Sequence, residues 1–327
     1  MKSKKWLGNL YLLIAAFLWG STFVAQAENA VGPFTYVAAR SYVGALVLIP
    51  VIAVLDGWRK RQGTYRRPDK AYRKMLLVGG VLCGTVLFAA STLQQGGMAL
   101  GTDPGKAGFI TAMYILIVPI LGLFFKQRVA LRHWICVALA VLGLFMLCMT
   151  AGLTEFSLAA LFSADTLAGL SVQACDLLVM GCAVVYSVHI LLLDHYSPKV
   201  DPVRLSQIQF LVTAILSTVA ALIFEQPTWQ GIVHSAIPIL YAGVLSSGVA
   251  YTLQAVAQRY ADPTVASVLM SLESAFAVLS AIVFYAITTG DPKLPTGYEW
   301  LGILLMFAAI MISQWPQKSC KKDLKNS

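Results

Sequence analysis

Residues 92–116 read TLQQGGMALGTDPGKAGFITAMYIL, and residues 252–274 repeat much of that pattern as TLQAVAQRYADPTVASVLMSLES. Both stretches open with Thr-Leu-Gln at the end of an apolar run and reach Asp-Pro ten or eleven residues later. Asp is a favourable helix N-cap and Pro fits the first helical position, so each stretch predicts a helix, a tight turn and a second helix. Two such stretches, 160 residues apart, indicate an internal repeat.

The two Asp-Pro pairs give an alignment of the repeat. Asp103 falls on Asp262, Gly108 on Ser267 and Tyr114 on Glu273. We expect each aspartate to accept hydrogen bonds from the free N–H groups of the helix that follows it.

The composition is that of a polytopic membrane protein. Of 327 residues, 58% are hydrophobic and 12% charged, about half the charged fraction of a soluble domain. The net charge of +9 lies in short loops and tails between apolar runs, which argues against a nucleic-acid partner. The six cysteines show no CxxC or metal-ligand spacing, and no cofactor is expected.

The hydropathy pattern predicts an all-α membrane protein with ten transmembrane helices. The predicted spans are Leu7–Ala27, Phe34–Leu55, Met75–Gly96, Gly105–Phe125, His133–Ala151, Asp176–Leu193, Leu205–Phe224, Ser235–Ala257, Pro263–Ile287 and Trp300–Gln314. The linker 152–175 separates five spans from five, which defines a first repeat over 1–151 and a second over 176–327. Because five is odd, the two repeats enter the membrane from opposite sides, an arrangement typical of secondary transporters.

The distribution of basic residues predicts the orientation. With the N-terminus inside, 21 of the 24 Lys and Arg residues lie in cytoplasmic segments, two lie outside and Arg40 lies within a span. Both termini are therefore expected in the cytoplasm of a multi-pass cell-membrane protein. The N-terminus also has features of a secretory signal, with a cleavage-like Ala-Gln-Ala at 25–27, but its apolar run is long enough to span a bilayer.

Four segments of the chain form a set of motifs: AFLWGSTFV at 16–24, Pro33-Phe34 followed by Arg40, GKAGFIT at 105–111, and Leu272-Glu273-Ser274. They resemble the signatures of the first, second, fourth and ninth helices in the EamA-like branch of the drug/metabolite transporter superfamily. The resemblance covers the whole chain. It implies an inverted-repeat carrier that exports small metabolites such as amino acids, coupled to an ion gradient or to exchange. The chain departs from the family where a glutamate often follows the fourth and ninth helices, at 125–127 and 287–289.

Two ionisable residues within predicted spans are the sharpest candidates for substrate binding or coupling. Glu273 is expected ~15 Å deep and Arg40 ~10 Å deep, at 1.5 Å per residue. Glu273 would bind a proton or a substrate amine, and Arg40 a substrate carboxylate. The alternatives are a structural carboxylate at Glu273 and an arginine that extends toward the membrane surface. We expect the two to form an ion pair in the empty carrier.

Further candidates follow from the repeat. Gln209 aligns with Arg40, and Tyr114 with Glu273. Trp19 and Tyr186 occupy matching places in the first helix of each half, either beside a cavity or as packing residues. His189 lies one helical turn beyond Tyr186 on the same face. The paired Gln94 and Gln254 are expected near opposite membrane faces, either as gate residues or, as we favour, bonded to carbonyls at helix ends.

The expected partners are a small-molecule substrate, a coupling proton or counter-substrate, and membrane lipid. The sequence contains no HExxH, GxSxG or Walker motif, so no enzymatic activity is expected. The alternative that stays open is a membrane-embedded enzyme or lipid-handling protein that uses Glu273, His189 and Arg40.

Overall fold

The computed structural model describes residues 2–27, 30–65, 68–102, 104–124, 130–149, 173–288, 290 and 294–314, and within these ranges every regular element is helical. In chain order the helices are α1 (Lys2–Ala27), α2 (Pro33–Arg61), α3 (Lys70–Ala99), α4 (Pro104–Ala112), α5 (Tyr114–Phe124), α6 (Leu131–Met149), α7 (Ala174–Tyr196), α8 (Pro202–Phe224), α9 (Trp229–His234), α10 (Ala236–Tyr241), a π-helical segment (Ala242–Ala250), α11 (Tyr251–Ala257), α12 (Pro263–Met270), α13 (Glu273–Thr288) and α14 (Gly297–Gln314). The predicted linker lies almost entirely outside the described residues.

The chain is a multi-pass membrane protein. Seven segments of the described ranges are long and apolar enough to cross a bilayer, and they are Pro33–Arg61, Lys70–Ala99, Ala107–Phe124, Ala174–Tyr196, Pro202–Phe224, Ala236–Ala257 and Pro263–Thr288. Two further apolar helices, Leu131–Leu147 and Gly297–Ser313, are shorter. Within the described residues each predicted span overlaps one helix or consecutive helices, while the ten-span repeat layout stays a prediction.

The predicted fourth and ninth spans are each interrupted next to one of the two aligned residues Tyr114 and Glu273. The fourth breaks at Met113, whose carbonyl accepts from the amide of Leu116 at 2.9 Å, and the ninth breaks at 271–272. At the second break the amide of Ser274 donates to the carbonyl of Ser271 at 3.3 Å, so each break contains a tighter hydrogen bond between residues three apart. Both helix breaks therefore place a polar residue at the start of a new helix.

The predicted eighth span is interrupted differently. Its centre, AGVLSSGVA, forms a nine-residue π-helix between α10 and α11. Gly243 lies directly against α2, where an added Cβ would come within 3.0 Å of the carbonyl oxygen of Arg40. The π-helical segment thus packs closely beside the part of α2 that carries Arg40.

Helices of the N-terminal half pack mainly against helices of the C-terminal half. The most extensive contacts join α2 with α8, α3 with α7, and α6 with α14. Glycines permit the close approach: a Cβ at Gly84 of α3 would lie 2.6 Å from the carbonyl oxygen of Gln209 in α8. Gly143 of α6 and Gly302 of α14 face each other in the same way, with 2.8 Å and 2.6 Å from each added Cβ to the opposite carbonyl oxygen. A continuous interface therefore connects the halves.

The α2–α8 pair is tied at both ends by polar contacts. At one end the Glu225 carboxylate accepts hydrogen bonds from the amides of Phe34 and Thr35, at 2.8 and 2.9 Å, and so caps the N-terminus of α2. At the other end Arg59 contacts Asp201 at 2.5 Å, and Arg204 pairs with Asp56.

The Asp-Pro motif of the second repeat starts a helix as predicted, but one detail of the prediction is wrong. Asp262 occupies the N-cap position of α12 with Pro263 following, yet its side chain accepts no capping hydrogen bond. It lies 3.8 Å from Lys5 instead, so an ion pair with the first helix takes the place of the cap. Asp103 lies outside the described residues.

Candidate functional site

A small cavity lies where the two halves meet, and it contains eight of the nine predicted site residues. Its volume is about 60 Å³, enough for a few water molecules and well below the 300 Å³ or more of typical ligand pockets. The lining residues are Trp19, Thr22, Arg40, Gln94, Thr111, Tyr114, Tyr186, His189, Ile190, Ser246, Tyr251, Gln254, Met270 and Glu273. The ninth predicted residue, Gln209, lies directly behind His189.

Glu273 begins α13 and faces the cavity from the ninth-span break. The Tyr114 hydroxyl donates a hydrogen bond of 3.3 Å to its Oε1 atom. These are the two residues that the repeat alignment places in equivalent positions, and each starts a helix after a break. Gly20 of α1 lies against the same break, because a Cβ there would come within 2.7 Å of the Glu273 carbonyl oxygen. Glu273 is therefore held where α1, α5 and α13 converge.

Arg40 reaches the cavity from α2 and is only 5% exposed. Its guanidinium carbon lies 5.5 Å from the centre of the Tyr36 ring, one turn earlier on the same helix. It does not extend toward the membrane surface, and no ion pair joins it to a carboxylate in the described chain. The expected Arg40–Glu273 pair is therefore absent from this structure: Tyr36 and Tyr114 are the respective neighbours, and both charged groups face one cavity.

An aromatic group forms one wall of the cavity. The Trp19 and Tyr251 rings pack edge to face with centres 4.8 Å apart, and the Tyr251 and Tyr186 hydroxyls lie 3.4 Å apart. The Tyr186 hydroxyl is also 3.3 Å from the Ser91 hydroxyl. The predicted pair Trp19 and Tyr186 thus flanks the cavity, with Tyr251 in contact with both.

His189 and Gln209 form a buried polar pair behind this wall. His189 Nε2 lies 3.2 Å from Gln209 Oε1, and both side chains are at most 1% exposed. Because an amide oxygen only accepts, Nε2 carries the proton and Nδ1 presents a lone pair. Nδ1 has no hydrogen-bond partner among the described residues, so it is available to a donor.

The two glutamines of the repeat lie in the cavity rather than near opposite membrane faces. Gln94 donates a hydrogen bond of 3.1 Å to the Thr111 hydroxyl, and Gln254 lines the cavity with Oε1 unpartnered. The amide nitrogen of Gln94 thus bonds a hydroxyl and not the helix-end carbonyl that we favoured from the sequence.

The sequence interpretation missed several lining residues, of which Tyr251 is the most important. A signal for it existed, because Ser91 and Tyr251 each directly precede the repeated Thr-Leu-Gln. Ser91 contacts Tyr186, and Tyr251 contacts Trp19, so equivalent residues make equivalent contacts across the halves. The other missed residues are Thr22, Thr111, Ile190, Ser246 and Met270.

The cavity has the polar groups to bind a small molecule that carries one positive and one negative substituent. Arg40 supplies a cation and Glu273 a carboxyl group on its lining. Within the described part of the chain, Trp19 Nε1 is a donor without a partner, and Gln254 Oε1 and His189 Nδ1 are acceptors without one. Buried polar atoms without partners are costly, so this site favours water or a polar ligand. No cluster suited to a metal ion occurs in the described part of the chain.

Comparison with known proteins covers nearly the whole sequence. A chain of Archaeoglobus fulgidus described as an uncharacterized transporter is 26% identical over 312 residues, which cover 94% of this chain and 86% of that one. The uncharacterized transporter YwfM of Bacillus subtilis is 24% identical over 317 residues, 95% of each chain.

The fold and the family are likewise matched over most of the chain. A solved crystal structure, 19% identical, superposes with a TM-score of 0.68 and covers 94% of this chain and 96% of its own. The profile of the EamA-like transporter family matches twice, at residues 6–149 and 173–314. The protein is a membrane transporter that belongs to the EamA-like transporter family.

Proposed function

We propose that the protein is a secondary carrier that exports small zwitterionic metabolites such as amino acids. The observation that carries this proposal is the joint placement of Arg40 and Glu273 on one buried cavity without an ion pair between them. A carboxylate substituent would bind the guanidinium in bidentate fashion, and an ammonium group or a coupling proton would bind Glu273.

The proposed mechanism is alternating access between two inverted five-helix repeats, residues 1–151 and 176–327, joined by an extracytoplasmic linker at 152–175. Three features support it. Interrupted helices meet at the cavity, as in other secondary transporters. The α2–α8 and α6–α14 contacts join equivalent helices, and α3–α7 has a counterpart in the packing of α1 against the π-helical segment and α11. The family profile matches in two separate parts.

Transport is tested with purified protein in liposomes loaded with a mixture of amino acids. We expect substrate efflux that depends on a proton gradient or on a counter-substrate, with every recovered molecule chemically unchanged. The Glu273→Gln variant should lose at least 90% of that flux. The matched Glu299→Gln variant should keep it, because Glu299 caps the start of α14 and does not line the cavity. Chemically altered product without gradient-dependent movement would instead favour the enzyme alternative.

The proposed orientation, with both termini in the cytoplasm of the cell membrane, needs a separate test. Two exposed positions on opposite proposed sides suit it: Thr64, after α2, and Gln230, in α9. In a cysteine-free background, Gln230→Cys should react with an impermeant thiol reagent in intact cells and Thr64→Cys should not. The reverse result would invert the topology.

A further inference from the structure

A second polar groove lies at the end of the bundle opposite the Glu225 cap. It has a volume of about 850 Å³ and is bordered by the end of α2, the start of α3, the turn before α8, and Arg259 after α11. Residues of both halves therefore form its walls. None of its lining residues belongs to the central cavity, so it is a separate site.

The charges on this groove do not cancel. Its lining includes five cationic residues, Arg59, Arg73, Lys199, Arg204 and Arg259, and three aspartates, Asp56, Asp69 and Asp201.

All three aspartates already have partners. Asp201 pairs with Arg59, Asp56 pairs with Arg204, and Asp69 accepts a 2.7 Å hydrogen bond from the amide of Tyr72 as the cap of α3. Because Asp69 is bonded to an amide and not to a cation, three of the five described cations on the groove have no acid left to pair with.

Three of the cations lack a carboxylate partner within the described chain. Arg73, Lys199 and Arg259 are exposed and take part in none of the ion pairs there. The Lys199 ammonium lies 2.7 Å from His195 Nε2. They come from three different segments, so their convergence on one concave surface arises from the tertiary fold and not from a run of basic sequence.

We propose that this groove binds an anionic phosphate group, either the headgroup of an anionic phospholipid or a free phosphate. Arg73 and Arg259 would bind phosphate oxygens through paired N–H donors, and Lys199 would add a point charge. In the proposed topology the groove faces the cytoplasmic leaflet, where anionic headgroups attract basic clusters. Because Arg73 belongs to the first half and Lys199 and Arg259 to the second, a bound phosphate connects the halves at this end.

The test uses the full chain purified in a neutral detergent, with native mass spectrometry to count bound lipid and thermal unfolding to measure stabilisation. One arm compares phosphatidylglycerol with phosphatidylcholine, and the other compares sodium phosphate with sodium chloride at matched ionic strength. Preferential binding of phosphatidylglycerol alone identifies a headgroup site, and stabilisation by phosphate alone identifies a soluble-ligand site. Either outcome, or both together, supports the proposal.

The variants separate a built site from diffuse charge. The triple variant Arg73→Gln/Lys199→Gln/Arg259→Gln should bind at least tenfold more weakly. The matched triple Lys60→Gln/Lys70→Gln/Lys74→Gln removes equal charge from exposed positions nearby that do not line the groove, and it should bind as the natural chain does. The single variants Arg73→Gln and Arg259→Gln give the same comparison should the triple variant unfold. Equal losses in both triples, or no preference for either anionic probe, would overturn the proposal.

Discussion

From the contact between Tyr114 and Glu273 we predict how much each of the two side chains contributes to the transport rate. The hydroxyl lies 3.3 Å from the carboxyl oxygen, beyond the usual 2.5–3.0 Å for such a bond. A well-formed hydrogen bond to a charged group contributes about 1.5–3 kcal/mol, so this longer one should contribute about 1 kcal/mol. That energy corresponds to roughly a fivefold change in an equilibrium constant.

Tyr114→Phe should therefore reduce the transport rate at low substrate concentration by at most about fivefold, since only the weak hydrogen bond is removed. Glu273→Gln removes the ionisable group itself and should reduce the rate by about a hundredfold or more. The double variant should be no slower than Glu273→Gln, because the tyrosine hydroxyl acts through the carboxylate. The measurement is the initial rate in liposomes that contain equal amounts of each protein.

Two results would refute this reasoning. A loss in Tyr114→Phe as large as that in Glu273→Gln would mean that the hydroxyl contacts substrate directly. A double variant much slower than Glu273→Gln would mean that the two residues act independently. Equal thermal stability of all variants is the control, since a folding defect would reduce rates without any change at the site.

Three other predictions follow from the packing and the site. Glu225→Ala should lower the free energy of unfolding by about 2 kcal/mol, because two amides of α2 lose their cap, and Glu225→Gln should lower it by less. Denaturant unfolding in detergent measures both changes. An alanine variant with unchanged stability would contradict the role of Glu225 as a cap. Gly84→Ala should destabilise the protein, because the added Cβ would lie 2.6 Å from a carbonyl oxygen. Gly181→Ala should be neutral or stabilising, because its Cβ would lie 3.7 Å from the nearest atom. Equal melting temperatures of the two variants would contradict the close helix approach at Gly84. Arg40→Lys should fold normally but transport at least tenfold more slowly, because a lysine cannot bind a carboxylate in bidentate fashion. Full activity of this variant would mean that only the positive charge at position 40 matters.

The sequence was sufficient for those parts of the site that depend on one-dimensional patterns. Membrane spans follow from apolar length, and the aligned Tyr114 and Glu273 follow from the repeated Asp-Pro; the structure brings these two residues into contact. Depth along a helix predicted Arg40 and Glu273 at similar levels in the membrane, and in the structure both line one cavity. Burial of ionisable groups in apolar spans is rare, which made both stand out without any structural information.

What the sequence could not supply are contacts that depend on tertiary geometry. Glu225 caps a helix 191 residues away, and no local pattern connects the two. The Arg40–Glu273 pair was predicted from depth alone, but rotation about the helix axis and the neighbouring Tyr36 ring decide where the guanidinium lies. The π-helical segment could not be predicted from the sequence either, because its length and hydropathy are those of an ordinary apolar helix.

Positions that the sequence repeat makes equivalent carry different chemical groups around the central cavity. Equivalent positions carry Arg40 and Gln209, Tyr114 and Glu273, and Ser91 and Tyr251 in the two repeats. If both halves carried identical groups, a zwitterion would bind equally well in two opposite orientations. With the cation on the first half and the carboxyl group on the second, one orientation places both ends of the substrate against opposite charges, and the other places both against like charges. In the proposed carrier the scaffold provides two accessible states, and the differences between the repeats fix how the substrate binds in each.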